Sequence, residues 1–206
     1  MHHETLLPAT AKVLKQLANV SSLQQFYLSG GTALALQLGH RESEDLDFFS
    51  SKVFVPLKLQ TELATIGSLQ SVELAEGTLN CFMDRVKLQF LHYPYPLLEK
   101  ELEWEGVKIS SLIDIACTKV ITISMRGSKK DFIDLHFLLE KYSLADLFLK
   151  IEQKYHGVQY NREHLLKSLL YFNDAEQQPM PRMHAAAEWK EIKAEIVQKV
   201  KSFPLF

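Results

Sequence analysis

The sequence predicts an α+β fold, with an α/β first half followed by a helical bundle, and three observations carry that prediction. Up to Ser110, short β-rich runs alternate with helical ones and are punctuated by turn-forming pairs such as Glu76-Gly77 and Asp84-Arg85. Beyond Ser110 no strand signal remains, only apolar residues at helical spacing behind capping residues. Two adjacent glycines, Gly30-Gly31, separate an apolar run from a helix-forming one. The expected division is 1–110 and 111–206.

Taken in order, Leu6, Leu7, Val13, Leu14 and Leu17 set a helical period over Glu4 to Ala18. "FYLSG" reads as a buried strand, "TALALQLGH" as a helix stopped by Gly39, and "DLDFFS" as a second strand. Pro56 opens "PLKLQTELATIG", which Gly67 ends. "SVELAEG", "TLNCFMD" and "RVKLQFLHY" predict an antiparallel meander, and "WEGVKIS" one further strand. Ser111 with Asp114 forms a capping box for a helix reaching Gly127, and Ser143 with Asp146 repeats it for "SLADLFLKIEQKY". "KKDFIDLHFLLEKY" lies between them. Asn161 caps "NREHLLKSLLYF", and a loop with Pro179 and Pro181 leads to the amphipathic helix "AAAEWKEIKAEIVQKVKSF".

The 206 residues are 47% hydrophobic and 23% charged, with a net charge of −2, so nucleic-acid contact would need a local basic patch. Arg126, Lys129 and Lys130 form the densest one, suited to steering RNA or a triphosphate. The start lacks the long apolar core of a secretory signal, and no apolar run has the length of a membrane span. Cys81 and Cys117 sit in apolar runs without metal-ligand spacing. The expectation is a cytoplasmic protein with no membrane partner. Histidine pairs with zinc spacing, a Walker turn and a Gly-x-Ser-x-Gly elbow are all missing. "HYPYP" is expected to be a packed loop, with base stacking as its alternative, and His136 a structural residue.

Asp45 and Asp47 flank a single leucine. In a strand their side chains share a face while Leu46 enters the core, and two carboxylates about 5–7 Å apart repel unless a cation lies between them. Mg²⁺ (or Mn²⁺) suits that arrangement, taking one or two carboxylates and completing its shell with water and substrate phosphates. Gly30 and Gly31, at a helix start, leave backbone N–H groups open to phosphate, and Ser29 or Thr32 could add a hydroxyl. Either feature alone is common. Together, in strand–turn–helix–strand context, they point to a nucleotide site. Lys119 sits mid-way along a nearly all-apolar helix with Thr122 and Arg126 at i+3 and i+7. That stripe either faces a phosphate, or Lys119 snorkels to solvent while Arg126 complements the helix dipole.

"SGGTALALQLGHRESEDLDFF" resembles the AbiEii/AbiGii nucleotidyltransferase toxins of bacterial toxin–antitoxin systems, and the likeness continues through "VKLQFLHYPYPLL" and "DIACTKVITISMRGSKKDFIDLHFLL", from Phe26 to Glu140. The resemblance implies a minimal polymerase-β-like core with a mixed sheet. It also implies Mg²⁺-dependent transfer of a nucleoside monophosphate from a triphosphate to RNA, particularly tRNA ends, or to protein. The biological setting would be a toxin–antitoxin or phage-defence system with a cognate antitoxin. It assigns catalysis to Asp45, Asp47, Lys119 and Asp131, with the metal on Asp45 and Asp47. Nucleotide binding would fall to Ser29, Gly30, Gly31, Thr32, Arg41, Lys119 and Arg126. Asp134 comes next in line, with Lys130 one turn back as a simple pairing partner. One position departs from the broader pattern: Gln89 stands where such enzymes often carry a third carboxylate. That substitution favours the alternative of a catalytically silent nucleotide-fold module that binds a protein partner, the C-terminal helix being its docking face. A protein-AMP-transferring antitoxin of the same superfold fits less well, because Gly-Gly-Thr and Glu44 replace the expected Gly-Ser and serine.

Overall fold

A computed structural model describes residues 1–203. Seven strands, β1 (Tyr27–Ser29), β2 (Leu46–Ser50), β3 (Leu69–Ala75), β4 (Thr78–Met83), β5 (Val86–His92), β6 (Leu102–Trp104) and β7 (Val107–Ile109), form one mixed sheet in the order β3-β4-β5-β2-β1-β7-β6. The meander is antiparallel, as its turns predict, whereas β2 runs parallel to β5 and β1 parallel to β7. The "WEGVKIS" run is a hairpin rather than one strand: Glu105 and Gly106 both take positive φ, and the chain folds back between β6 and β7.

Helices α1 (Pro8–Leu17), α2 (Gly30–Leu38) and α3 (Pro56–Leu63) belong to the first half. The first begins at Pro8 rather than Glu4, because proline is accommodated in the first turn and residues 3–5 form only a 3₁₀ turn. The second half holds α4 (Leu112–Arg126), α5 (Lys129–Leu139), α6 (Leu144–Lys154), α7 (Arg162–Ser168), the unforeseen single turn α8 (Asn173–Glu176), and α9 (Trp189–Lys201). The expected caps form: Ser111 accepts from the Asp114 N–H at 3.2 Å, Ser143 from Asp146 at 3.0 Å and Asn161 from His164 at 3.0 Å. The last helix starts four residues later than its alanines suggest. The segment before it is strapped to the segment ahead of β2, Glu42 N–H donating to Arg182 and His184 N–H to His40, each at 2.9 Å.

The register decides which residues meet the core and which are left for function. On β2 and β5, Leu46 lies opposite Leu88 and Phe48 opposite Phe90, and the two phenyl rings stack at 5.2 Å. These side chains are fully buried and join a hydrophobic cluster that runs on through Val120, Phe132, Phe148 and Ile192. The intervening residues, Asp47 opposite Gln89 and Phe49 opposite Leu91, are thereby forced onto the other face. A buried ion pair, Lys154 to Asp114 at 2.6 Å, ties α6 to α4, and Asp114 also accepts from the Leu98 N–H at 3.0 Å, which pins the "HYPYP" segment. Among the described residues no helix is long and apolar enough to cross a membrane.

Candidate active site

The sheet face carrying Asp47, Phe49, Gln89 and Leu91, the start of α2, and the side of α4 enclose a cleft of about 480 Å³. Asp45 lies one residue ahead of β2 rather than inside it, exposed at the mouth, while Asp47 is partly buried within the strand. Among the described residues neither carboxylate makes a hydrogen bond or an ion pair. Burial, and then the neighbouring Asp45 charge, pushes the Asp47 carboxyl above its ordinary value. Two neighbouring carboxylates without protein partners among the described residues form a donor set that fits a hard divalent ion.

Gly30 and Gly31 line the cleft as predicted. Gly30 has φ +65°, and a Cβ there would fall against the Asp47 carboxylate, so only glycine brings the turn this close. Among the described residues no side chain caps the start of α2, in contrast to α4 and α5, which Ser111 and Ser128 cap. The open N–H groups therefore face the cleft. Replacing Gly30 by Ala should remove transfer activity and destabilise the fold by about 1–3 kcal/mol, since both the backbone conformation and the aspartate must move. Retained activity in a labelled-nucleotide assay would contradict the arrangement.

Two predicted phosphate ligands are used otherwise. Ser29 is buried and its hydroxyl accepts from Ser110 at 3.0 Å. Thr32 is buried, shares a hydrogen bond of 2.8 Å with Ser43 and donates to the Asp45 backbone carbonyl. It anchors the segment that carries the aspartates instead of touching a phosphate.

Behind the aspartates lies a buried charge network. Arg41, 2% exposed, grips Asp134 through Nε at 2.7 Å and Nη2 at 2.8 Å. Lys119, 6% exposed, reaches Asp131 at 2.7 Å and Asp134 at 2.6 Å. His40 Nε2 lies 2.8 Å from Asp134, and burial lowers the His40 pKa, which favours the neutral ring. The four contacts fill the lone-pair positions of Asp134. Burial alone would raise its pKa, but the Arg41 and Lys119 charges hold it well below the usual carboxylate range. Asp134 thus pairs with Arg41 and Lys119, not with Lys130. Asp131 accepts from the Ser128 hydroxyl at 2.6 Å as well. Lys119 neither snorkels out nor stands free: its charge is balanced, although two carboxylate contacts leave one of its three N–H donors for the cleft. Arg41 is likewise charge-balanced, although it lines the cleft and its three hydrogen bonds, two to Asp134 and one to the Glu42 carbonyl, leave two of its five N–H donors.

Exposed positive charge at the cleft comes from its rim. Arg126, with its side chain 72% exposed and 3.6 Å from Asp131, lines the mouth together with exposed Lys130. Lys129, the third member of the basic run, turns inward and donates to the Glu176 carbonyl at 3.2 Å. The far end of the cleft is apolar, formed by Phe49, Leu91, Tyr93 and Ile121, with Thr118 and Thr122 beside them. Tyr93 is packed, its hydroxyl 2.6 Å from that of Tyr155, and still presents part of its ring to the cleft. Phe49 and Leu91 were not singled out in the sequence, although counting by two from Asp47 and Gln89 reaches both. Arg126→Ala should raise the KM for triphosphate about 5–10-fold, a loss of about 1 kcal/mol, with an unchanged melting temperature. A KM within twofold of the parent would remove Arg126 from the site.

Residues 12–79 and 84–205 match the family described as "Nucleotidyl transferase AbiEii toxin, Type IV TA system". The chain belongs to the AbiEii nucleotidyltransferase toxin family. Membership makes it an enzyme, a nucleotidyltransferase, and places it among the toxins of toxin–antitoxin systems. The uncharacterized protein aq_aa25 of Aquifex aeolicus (strain VF5) is 33% identical over 198 residues, covering 93% of this chain and 94% of that protein. The fold is similar to that of JHP933 from Helicobacter pylori, with a TM-score of 0.55 and 19% identity over 97% of this chain and 89% of that one. It is also similar to MenT4, the nucleotidyltransferase toxin Rv2826c of Mycobacterium tuberculosis H37Rv, with a TM-score of 0.55 and 14% identity over 96% and 85% of the two chains. The likeness to these two structures is one of fold.

Proposed function

We propose that this chain transfers a nucleoside monophosphate from a triphosphate to a macromolecular hydroxyl, on RNA such as a tRNA end or on protein, with Mg²⁺ or Mn²⁺ held by Asp45 and Asp47. The single observation that supports the reading most is the pairing of two carboxylates, without partners among the described residues, with the glycine turn, when Asp131 and Asp134, the acids behind them, are engaged by cations. A divalent ion bound there would offset the carboxylate repulsion and the negative charge that develops on the phosphates in the transition state.

The protein's own groups supply the rest. Backbone N–H groups at Gly30 and Gly31 receive phosphate oxygens, Arg126 and Lys130 add charge from the rim, and Lys119 offers its remaining donor. Asp131 keeps Lys119 in place, so its part is positioning. Phe49, Leu91 and Tyr93 receive the base on an apolar surface. The acceptor oxygen bonds to the α-phosphorus, the bond from that phosphorus to pyrophosphate breaks, and the hydroxyl proton is released. The setting we infer is the cytoplasm, where the chain acts as the toxin of a toxin–antitoxin or phage-defence pair and is restrained by a cognate antitoxin protein.

The test is incubation of the protein with Mg²⁺, each α-³²P-labelled nucleoside triphosphate in turn, and total cellular RNA and protein. Label moving to a macromolecule, and lost in Asp47→Asn, supports the proposal and identifies base and acceptor together. No transfer with any nucleotide would turn the reading to a silent module, for which capture of one stable protein partner without nucleotide is the next observation to seek.

A further inference from the structure

We infer that Gln89 restricts this site to one divalent cation, which enters with the nucleotide and does not bind firmly beforehand. The inference rests on the nucleotide reading above. A polar row crosses the sheet on the cleft face: Ser29 on β1 lies opposite Asp47 on β2, Asp47 opposite Gln89 on β5, and Gln89 opposite Asn80 on β4. Residues paired in this way point to the same side with side chains in reach of one another. Asp47 is therefore flanked by a hydroxyl already engaged with Ser110 and by an amide, and the position beyond the amide is a second amide. A third carboxylate on this row would face the cleft beside Asp47, and Gln89 does line that cleft.

The other acids near the cleft do not replace it. Asp131 is held by Lys119 and Ser128, and Asp134 by Arg41, Lys119 and His40. Glu44 lines the cleft from the exposed segment leading to Asp45, its carboxylate unpaired among the described residues, but no three His, Cys, Asp or Glu side chains there are grouped so as to hold a metal ion. Asp45 and Asp47, the two carboxylates placed to share an ion, balance one dication. A second would gain no further negative charge from the protein and would lie among the positive charges of Lys119 and Arg126. A glutamine oxygen is a neutral ligand that can complete a coordination shell but cannot supply that charge.

Asn80, the next residue of the row, makes no demand on Gln89. Among the described residues its side-chain oxygen is buried without a hydrogen-bond partner, so the Gln89 amide across the ladder is not spent on it and stays a neutral group beside the cleft.

The experiment counts Mn²⁺ ions by electron paramagnetic resonance and equilibrium dialysis, on the intact protein and on Gln89→Glu, with and without a non-hydrolysable triphosphate. The parent protein should retain one ion per bound nucleotide, and its affinity for Mn²⁺ alone should be at least tenfold weaker than that of Gln89→Glu. Gln89→Glu should retain two ions per bound nucleotide. Two ions per nucleotide in the parent would overturn the inference while leaving the nucleotide site standing. Identical counts and affinities in the two proteins would also overturn it. If neither protein retains nucleotide and Asp47→Asn leaves Mn²⁺ binding unchanged, the nucleotide reading itself fails, and this inference falls with it.

Discussion

Asp47→Asn should reduce nucleotidyl transfer by about 10³-fold or more, equivalent to about 4 kcal/mol of transition-state stabilisation, while leaving the melting temperature unchanged or raised. The activity loss follows from the donor set: asparagine keeps the shape and loses the charge that would oppose a dication. The stability effect follows from the setting. Asp47 has no hydrogen-bonding or ionic partner among the described residues, and burial and Asp45 raise its pKa in the fold. A carboxyl whose folded pKa lies above its unfolded value opposes folding at neutral pH, and that penalty disappears as the pH falls below the unfolded value. Removing the charge relieves the penalty. Thermal melts at neutral pH beside the labelled transfer assay check both halves. A variant that melts several degrees lower would mean that Asp47 has a structural partner, and a variant that retains activity would move the metal site elsewhere.

Asp134→Asn should do the reverse, unfolding the protein far more readily. The substitution leaves Arg41 and Lys119 buried with only Asp131 to balance them, and breaking a buried ion network by deleting one member costs about 3–5 kcal/mol. For a chain of this size each kcal/mol lowers the melting temperature by about 2–4 °C, so a fall of about 6–20 °C is expected. The pH dependence carries a definite sign. The folded pKa of Asp134 lies well below 3.8, so its contribution is complete above the unfolded value and is lost as the pH falls through that value toward the folded one. The gap between parent and variant should therefore be widest near neutrality and narrow in acid below about pH 4. A melting-temperature difference of under about 2 °C at neutral pH would show that the network contributes little net stability, as fully compensated buried pairs sometimes do.

The contrast between these two aspartates shows how far the sequence reaches. Asp45-Leu46-Asp47 behind Gly30-Gly31 is a local pattern: strand alternation and glycine turn chemistry dictate that Leu46 enters the core and Asp47 does not, without knowledge of any distant residue. Most element types, the helix caps at Ser111, Ser143 and Asn161, the antiparallel meander and the helical second half are legible for the same reason. The hairpin at Glu105-Gly106 was hidden because two strands of three residues leave too few alternations to separate.

The destination of each charge could not be read in this way. Arg41 and Asp134 are 93 positions apart and meet only because α5 packs beside the segment ahead of β2. Lys129 and Lys130 are adjacent and alike, yet one caps the carbonyls near α8 and the other faces the cleft, because successive helical positions point about 100° apart. The sequence alone determined where a carboxylate pair and an open helix start would come together, since both depend on backbone geometry over a few residues. Only the tertiary structure decided which cations remain available to a phosphate, because a buried charge is assigned to whichever opposite charge the packing brings within about 3 Å, whatever their separation along the chain.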